Sequence, residues 1–403
     1  MTSTTALPPI RAARSARPDR PVPATAPFAR TVAVLSVVAL LATSQLYGAI
    51  PLVGAAAADW HTRPGPLTWL VTAFGLGYAA GFLLFGPLSD RFGRRRVMVA
   101  GVAATAVTTA LVALAPGLGV ALALRALQGL TIGAFPPVAM AYVGERVEPR
   151  RRLLTVTAMT TGFLAASVVG QLLAQAMLAL LGWRSFFALG AVLFAAGALA
   201  LHRVLLPDAP GRGGSPAAAY RAMPRLLGTP GLRLLYLAVP ILLGSFVAIY
   251  TGLQLTGTGG LLGLRAAALP VILAIPFATA RLARLDPVRR CAAALLVTAA
   301  GTALIGVLTP GTGVLALLLM AVTAGVGVAA PGMIDLVGSR AGDRRAPAIS
   351  LYTALMFVGA SAGPQLAAAL AGRGLAAVAL VLAALLALAA GLVAAARRGL
   401  RAG

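Results

Sequence analysis

Gly86-Pro87-Leu88-Ser89-Asp90-Arg91-Phe92-Gly93-Arg94-Arg95-Arg96 forms a short charged hinge between two long apolar runs, 67–89 and 97–116. Glycine and proline permit a tight turn there. Asp90 can pair with a neighbouring arginine or cap a helix, and the arginine cluster resists passage through hydrocarbon. The hinge therefore marks a point where the chain turns back at a membrane face.

The same alternation recurs along the whole sequence. Apolar runs lie at 31–55, 67–89, 97–116, 118–143, 154–181, 184–206, 232–256, 261–283, 291–309, 313–337, 347–371 and 374–396. Each is near the ~20 residues that a spanning helix needs, and the glycines and prolines inside them are tolerated in lipid. Arg265 and Pro270 interrupt the eighth run. Hydrophobic residues make up 60% of the chain and charged ones 10%, so most segments have no polar face to offer water. The expected class is an all-α membrane protein with twelve transmembrane helices.

All 33 basic residues are arginine, and 28 of them fall in segments that twelve spans would bring to one face. The exceptions are Arg63, Arg125, Arg184, Arg265 and Arg373. Basic residues are retained on the cytoplasmic side, so both termini and the central loop are expected inside, in the cell (inner) membrane. The net charge of +24 is spread over short loops rather than along one stripe with interleaved aromatics, which argues for anionic lipid contact and against nucleic acid. Residues 1–30 are rich in Pro, Ala and Arg and read as a disordered cytoplasmic tail, with a second short tail at 398–403.

A shift of 194 residues superposes the fourth and fifth runs on the tenth and eleventh. Gly133 falls on Gly327, Pro137 on Pro331, Arg146 on Arg340, Arg150 on Arg344, Arg151 on Arg345, Ser167 on Ser361 and Gln171 on Gln365. Matched Arg, Pro, Ser and Gln at one ungapped offset point to a duplicated unit. Two six-helix halves, 31–206 and 231–397, follow, joined by a loop at 207–230 whose Pro, Gly and charged residues suit a flexible cytoplasmic linker. The second copy of the hinge, Arg281 to Arg290, keeps Asp286 and the arginines but loses the glycines.

The hinge resembles the loop between the second and third helices of the major facilitator superfamily, with Gly86, Asp90, Arg91, Gly93 and Arg94 at the expected places. Leu124-Arg125-Ala126-Leu127-Gln128-Gly129 resembles that family's fourth-helix signature, whose arginine is linked to proton coupling. The resemblance implies two pseudo-symmetric six-helix bundles that rock around a site near the membrane midplane. Asp90 and its arginine neighbours are expected to form an inner gate, a charge-assisted network that holds the cytoplasmic side in one state, with a topology anchor as the alternative; the overall pattern is similar to the drug and sugar efflux branch. The implied function is secondary export by alternating access, in exchange for protons. In the fifth helix the antiporter motif is reduced to Gly170 with Ala166 and Ala174, and Gln171 occupies its proline position. An importer or symporter of a small metabolite is the alternative, with a passive channel further off.

Polar groups at helical spacing are the candidates for a substrate cavity: Gln45 and Tyr47 in the first helix, Gln128 in the fourth, and Ser167, Gln171 and Gln175 in the fifth. Phe246, Tyr250 and Gln254 in the seventh and Ser361 and Gln365 in the eleventh complete the set. An amide facing lipid would lack partners, so these side chains are expected to face one another. All nine acids lie in loops or near helix ends, which disfavours a strongly cationic cargo and points to a neutral or amphipathic one. Asp59 and Asp335, with Arg125, are the coupling candidates. The single Cys291 and the two histidines, His61 and His202 in opposite loops, offer no metal set or catalytic cluster. No cofactor and no enzyme activity are expected, and the chain is read as a monomer.

Overall fold

A computed structural model describes residues 26–208, 216–282 and 284–396. The described residues are helical, with no β-strand among them. Eleven helices are long and apolar enough to cross a membrane. They are α1 (Phe28–Asp59), α2 (Pro64–Phe92), α3 (Arg94–Ala113), α4 (Leu118–Arg146), α5 (Pro149–Leu181) and α6 (Arg184–Val204) in the first half. In the second half α7 (Gly231–Leu255) precedes α8, and α9 (Pro287–Leu308), α10 (Thr312–Arg340), α11 (Pro347–Ala371) and α12 (Gly374–Ala395) follow it.

The eighth element departs from the continuous run expected at 261–283. It comprises two helices, Leu261–Ala266 and Leu269–Leu282, separated by a turn at Ala267 and Ala268. Pro270 supplies the reason. A proline disfavours α geometry in the residue before it and is itself at home in a first helical turn, so the rod breaks and restarts around it. The break leaves Arg265 in the first, shorter segment.

The duplicated sequence has a duplicated packing. In the first half α1 packs on α5 and α3 on α6; in the second α7 packs on α11 and α9 on α12. Backbones approach closely at both equivalent crossings: a Cβ on Gly170 would stand 2.8 Å from Ser44 Cα, and one on Gly363 2.3 Å from the Gly244 carbonyl oxygen. Such contacts need small residues, as lipid-embedded helices do when they cannot gain from the hydrophobic effect between themselves. Large apolar side chains such as Val107, Leu153, Leu180, Val192, Leu317 and Leu388 stay exposed, which suits hydrocarbon as the solvent. The halves meet along two seams, α2 against α11 and α5 against α8.

Two expectations about the loops change. The first helix starts at Phe28, inside the segment 1–30 expected as a tail; residues 1–25 and 397–403 lie outside the described residues. The 207–230 segment, expected as a flexible loop, contains a helix at Pro216–Gly228. Tyr220 Oη in that helix donates to the Leu84 carbonyl oxygen of α2 at 2.8 Å, and the helix also packs on α7 and α11. Just before the segment, the Leu206 N–H donates to Tyr142 Oη at 2.9 Å.

Candidate functional site

Arg125 is completely buried in α4. Its Nε donates to the Leu70 carbonyl oxygen at 3.0 Å, Nη1 to Gln128 Oε1 at 2.7 Å, and Nη2 to the Gln45 carbonyl oxygen at 2.9 Å. Gln128 Nε2 then donates to Gln45 Oε1 at 3.2 Å and to Thr109 Oγ1 at 2.7 Å. Phe74 and Phe187 rings cover the guanidinium at 4.4 and 5.6 Å. The i+3 spacing of Arg125 and Gln128 puts both on one face of α4, and that face meets α1, α2 and α3. An arginine at the centre of a membrane helix costs about 2.5–3.5 kcal/mol on insertion scales. Hydrogen bonds to a charged donor contribute about 1.5–3 kcal/mol each, so three of them offset that cost. Gln45 and Gln128, expected in a cavity wall, serve as this cation's partners inside the first half.

Arg265, one of the five arginines outside the one-face count, was not among the site candidates read from the sequence. It is 1% exposed and lies between the halves. Its Nε donates to Gln171 Oε1 at 2.9 Å, Nη1 to Gln175 Oε1 at 2.8 Å, and Nη2 to Gln254 Oε1 at 2.7 Å. Gln171 and Gln175 stand one turn apart on α5, and Gln171 is braced by donating its own Nε2 to the Ser167 carbonyl oxygen at 2.6 Å. Gln254 comes from the end of α7. Three amides expected to line a cavity therefore converge on one cation, and the bonds from Nε and Nη1 cross the α5–α8 seam. Ser167 itself turns back to the Leu164 carbonyl oxygen of its own helix at 2.7 Å.

The α2–α11 seam is neutral. Gln365 Nε2 donates to Thr68 Oγ1 at 3.1 Å and to Thr72 Oγ1 at 2.9 Å, while Thr72 Oγ1 donates to the Ser361 carbonyl oxygen at 2.6 Å. Ser361 Oγ donates to the Phe357 carbonyl oxygen at 2.7 Å. Deeper along the seam Phe357 packs on Tyr78 and Phe82 at ring separations of 4.4 and 5.5 Å. Between α1 and α7, Tyr47 meets Phe246 edge-on at 6.0 Å, and Phe246 meets Tyr250 at 5.1 Å. These aromatic candidates do come together, and across the halves.

At the hinge, Arg94 pairs with Asp90 one turn earlier and with Glu145 at 3.0 Å, tying the ends of α2, α3 and α4. Arg94 also donates to Ser89 Oγ and reaches the Gly86 carbonyl oxygen at 3.5 Å. This ionic network closes within the first half. Arg91 is exposed and stacks beside Phe92. Gly93 adopts φ +99°, and a Cβ there would strike the Asp208 carboxylate at 2.3 Å. Asp208 caps α3 from the far end of the half, accepting from the Arg95 and Arg96 N–H groups at 2.8 and 3.1 Å. In the second half Asp286 does the same for α9 from its own N-cap position, accepting from the Arg289 N–H at 2.9 Å. Asp208 had read as a linker residue, and only the space that Gly93 leaves empty hints at a remote partner.

The coupling candidates lie at opposite ends of the rods. Asp59 binds Arg184 Nη2 at 2.9 Å and accepts from Trp183 Nε1 at 3.3 Å, while Arg184 also holds the Ala113 and Ala115 carbonyl oxygens at 2.9 Å. Asp335 is exposed and stands 3.7 Å from the buried Arg290. Neither carboxylate touches the Arg125 or Arg265 clusters. No group of His, Cys, Asp and Glu that could hold a metal occurs among the described residues.

The Major Facilitator Superfamily pattern matches residues 33–364. The chain belongs to this superfamily. Among relatives, a Bacillus subtilis protein provisionally named a niacin/nicotinamide transporter is 31% identical over 40% of the chain and 39% of its own length. The 4-hydroxybenzoate transporter PcaK of Pseudomonas aeruginosa is 34% identical over 34% of the chain and 30% of its own length. The chain thus spans well under half the length of these two relatives. The crystal structure of the human organic anion transporter MFSD10 (TETRAN) aligns with a TM-score of 0.68 at 21% identity, covering 91% of the chain and 99% of that protein, and so shares the fold. The superfamily member described here is a multi-pass membrane protein.

Proposed function

We propose that the chain is a secondary active transporter that moves a small organic metabolite through the cell membrane by alternating access between its two halves. The observation that carries this reading is the way the halves join. Beside their apolar packing, the seams carry few, reversible polar contacts, Gln365 to Thr68 and Thr72 on one side and Arg265 to Gln171 and Gln175 on the other. The aromatic group of Tyr47, Phe246 and Tyr250 bridges the halves between them. Few bonds need to exchange for one bundle to rock against the other. The aromatic group also suits a ring-bearing or amphipathic cargo.

The arginine-rich face and both termini are assigned to the cytoplasm. Export in exchange for protons follows from the likeness to the efflux branch, with Arg125 and either Asp59 or Asp335 as coupling residues. Uptake is the second reading, favoured by Gln171: it stands where the antiporter motif has proline, and it is engaged by Arg265. In either direction Gly86, Asp90, Arg91, Gly93 and Arg94 act as the inner gate, by fixing the ends of α2, α3 and α4 as one body.

Vesicles of purified protein with an imposed pH gradient test the reading, with flux of aromatic acids, amides and amphipathic drugs followed in both directions. Coupled accumulation supports a secondary transporter, and its sign separates export from uptake. A gradient-independent leak would make it a channel. Asp90→Asn is expected to reduce flux to background with normal insertion, and Gly93→Ala to do the same while also loosening the α3 cap.

A further inference from the structure

Arg265 is a cation in the membrane domain surrounded by neutral acceptors. No Asp or Glu occurs in residues 149–207 or 209–285, the stretches that contain α5, α7 and α8. Its three hydrogen bonds go to three glutamine amides, and a guanidinium has five N–H donors, so two remain beyond those bonds. A buried charge satisfied only by amides retains a strong preference for an anion, since charge-assisted hydrogen bonds are roughly twice as strong as neutral ones and a carboxylate matches the guanidinium fork.

Three further features single out this cation. Gln175 and Gln254 are only half-buried, so the cluster can be reached past them from the arginine-poor face. Tyr250 stands one turn before Gln254 on the same helix α7, and its Oη is buried without a hydrogen-bond partner among the described residues. The Phe246 ring next to Tyr250 continues to Tyr47 of the other half, giving an apolar surface adjoining the cation.

We propose that Arg265 recognises the carboxylate of a small organic monoanion, which displaces the amide oxygens of Gln171 and Gln175 and so releases α8 from α5. This rests on the transporter reading and narrows its cargo from a small organic metabolite to an organic anion. The ring or chain of the anion lies against Phe246 and Tyr250, and Gln254 stays with Arg265 because both belong to the second half. Binding and unlatching are then one event: the hydrogen bonds that cross this seam are the bonds the cargo replaces.

The test is calorimetric titration of the full chain in an uncharged maltoside detergent with two isosteric pairs, benzoate against benzamide and 4-hydroxybenzoate against its amide. The wild type should bind each carboxylate at least about tenfold more tightly than its amide, and Arg265→Gln should erase that preference. Gln175→Glu supplies a second variant that does not depend on Arg265→Gln folding. Its internal carboxylate should occupy the guanidinium, keep or raise thermal stability, and abolish carboxylate binding. Binding of neither carboxylate by the wild type, or an unchanged preference in both variants, overturns the proposal. Coupled flux of an uncharged compound in the vesicle assay would then leave the transporter reading standing, whereas absence of any coupled flux would remove that reading as well.

Discussion

Arg125 and Arg265 are both buried, both hold three oxygen acceptors and both lack a carboxylate, yet they join different things. Every hydrogen bond of Arg125 ends in the first half: two on backbone carbonyls of α1 and α2, the third on Gln128 of its own helix. Two aromatic rings cover the rest of it. Arg265 reaches only side-chain amides, two of them in the opposite half. A backbone carbonyl is fixed by its helix, whereas an amide can rotate away. The first arginine is thus a brace within one rigid body, and the second is a latch between two.

The largest effect is expected at the brace. Arg125→Ala removes three charge-assisted bonds and leaves Gln128 and Gln45 with only each other and Thr109, at a cost of about 2–4 kcal/mol. Flux in vesicles should fall to background, and the melting temperature should drop. Arg125→Lys should recover part of the stability but little flux, because one ammonium on a flexible stem cannot serve three acceptors held at fixed angles. If Arg125→Ala transports normally, the division between brace and latch fails.

Much of this arrangement is visible in the sequence, and the reason for what is not visible is physical. The hinge, the apolar runs and the 194-residue repeat are local or periodic signals, and they lead to the two-bundle fold. Arg125 stood out because it lies in a long uninterrupted run with Gln128 at i+3. Arg265 lay in an interrupted run four residues from its start, where snorkelling toward water is the ordinary fate of an arginine. What keeps it inside is the turn at Ala267 and Ala268 together with Gln171 and Gln175, which are about 90 residues away along the chain. Periodicity marks Gln171 and Gln175 as one polar stripe but carries no record of what they face. Three glutamines near the same ends of α5 and α7, opposite one intramembrane arginine with no acid nearby, were the available signal. Asp208 was hidden in the same way, since its partners belong to a helix that starts more than 100 residues earlier.

A double-mutant cycle across the latch should give the next largest effect. Arg265→Gln and Gln171→Leu share a bond, so their thermal destabilisations should be non-additive by about 0.5–3 kcal/mol. Gln171→Leu paired with Arg125→Ala should be additive to within about 0.5 kcal/mol, because no hydrogen bond connects the clusters. Coupling between Gln171 and Arg125 would mean that the first half does not move as one body.

The smallest effect is expected at Gln365, the repeat counterpart of Gln171. Both glutamines reach from the second-last helix of their own half to the second helix of the other, but Gln365 meets Thr68 and Thr72 where Gln171 meets Arg265. In Gln365→Leu the two threonine hydroxyls keep their own acceptors, the Gly65 and Ser361 carbonyl oxygens, so no buried donor is orphaned. The loss should stay near ~1 kcal/mol, the ordinary worth of neutral hydrogen bonds. Gln171→Leu instead leaves an N–H of a buried cation unpaired and should cost about 1.5–3 kcal/mol. The two variants compared by thermal unfolding in the same detergent therefore measure what the charge adds to otherwise equivalent seams. Equal losses would mean that Arg265 is already satisfied by water or by other groups, and the asymmetry between the two seams would have no energetic content.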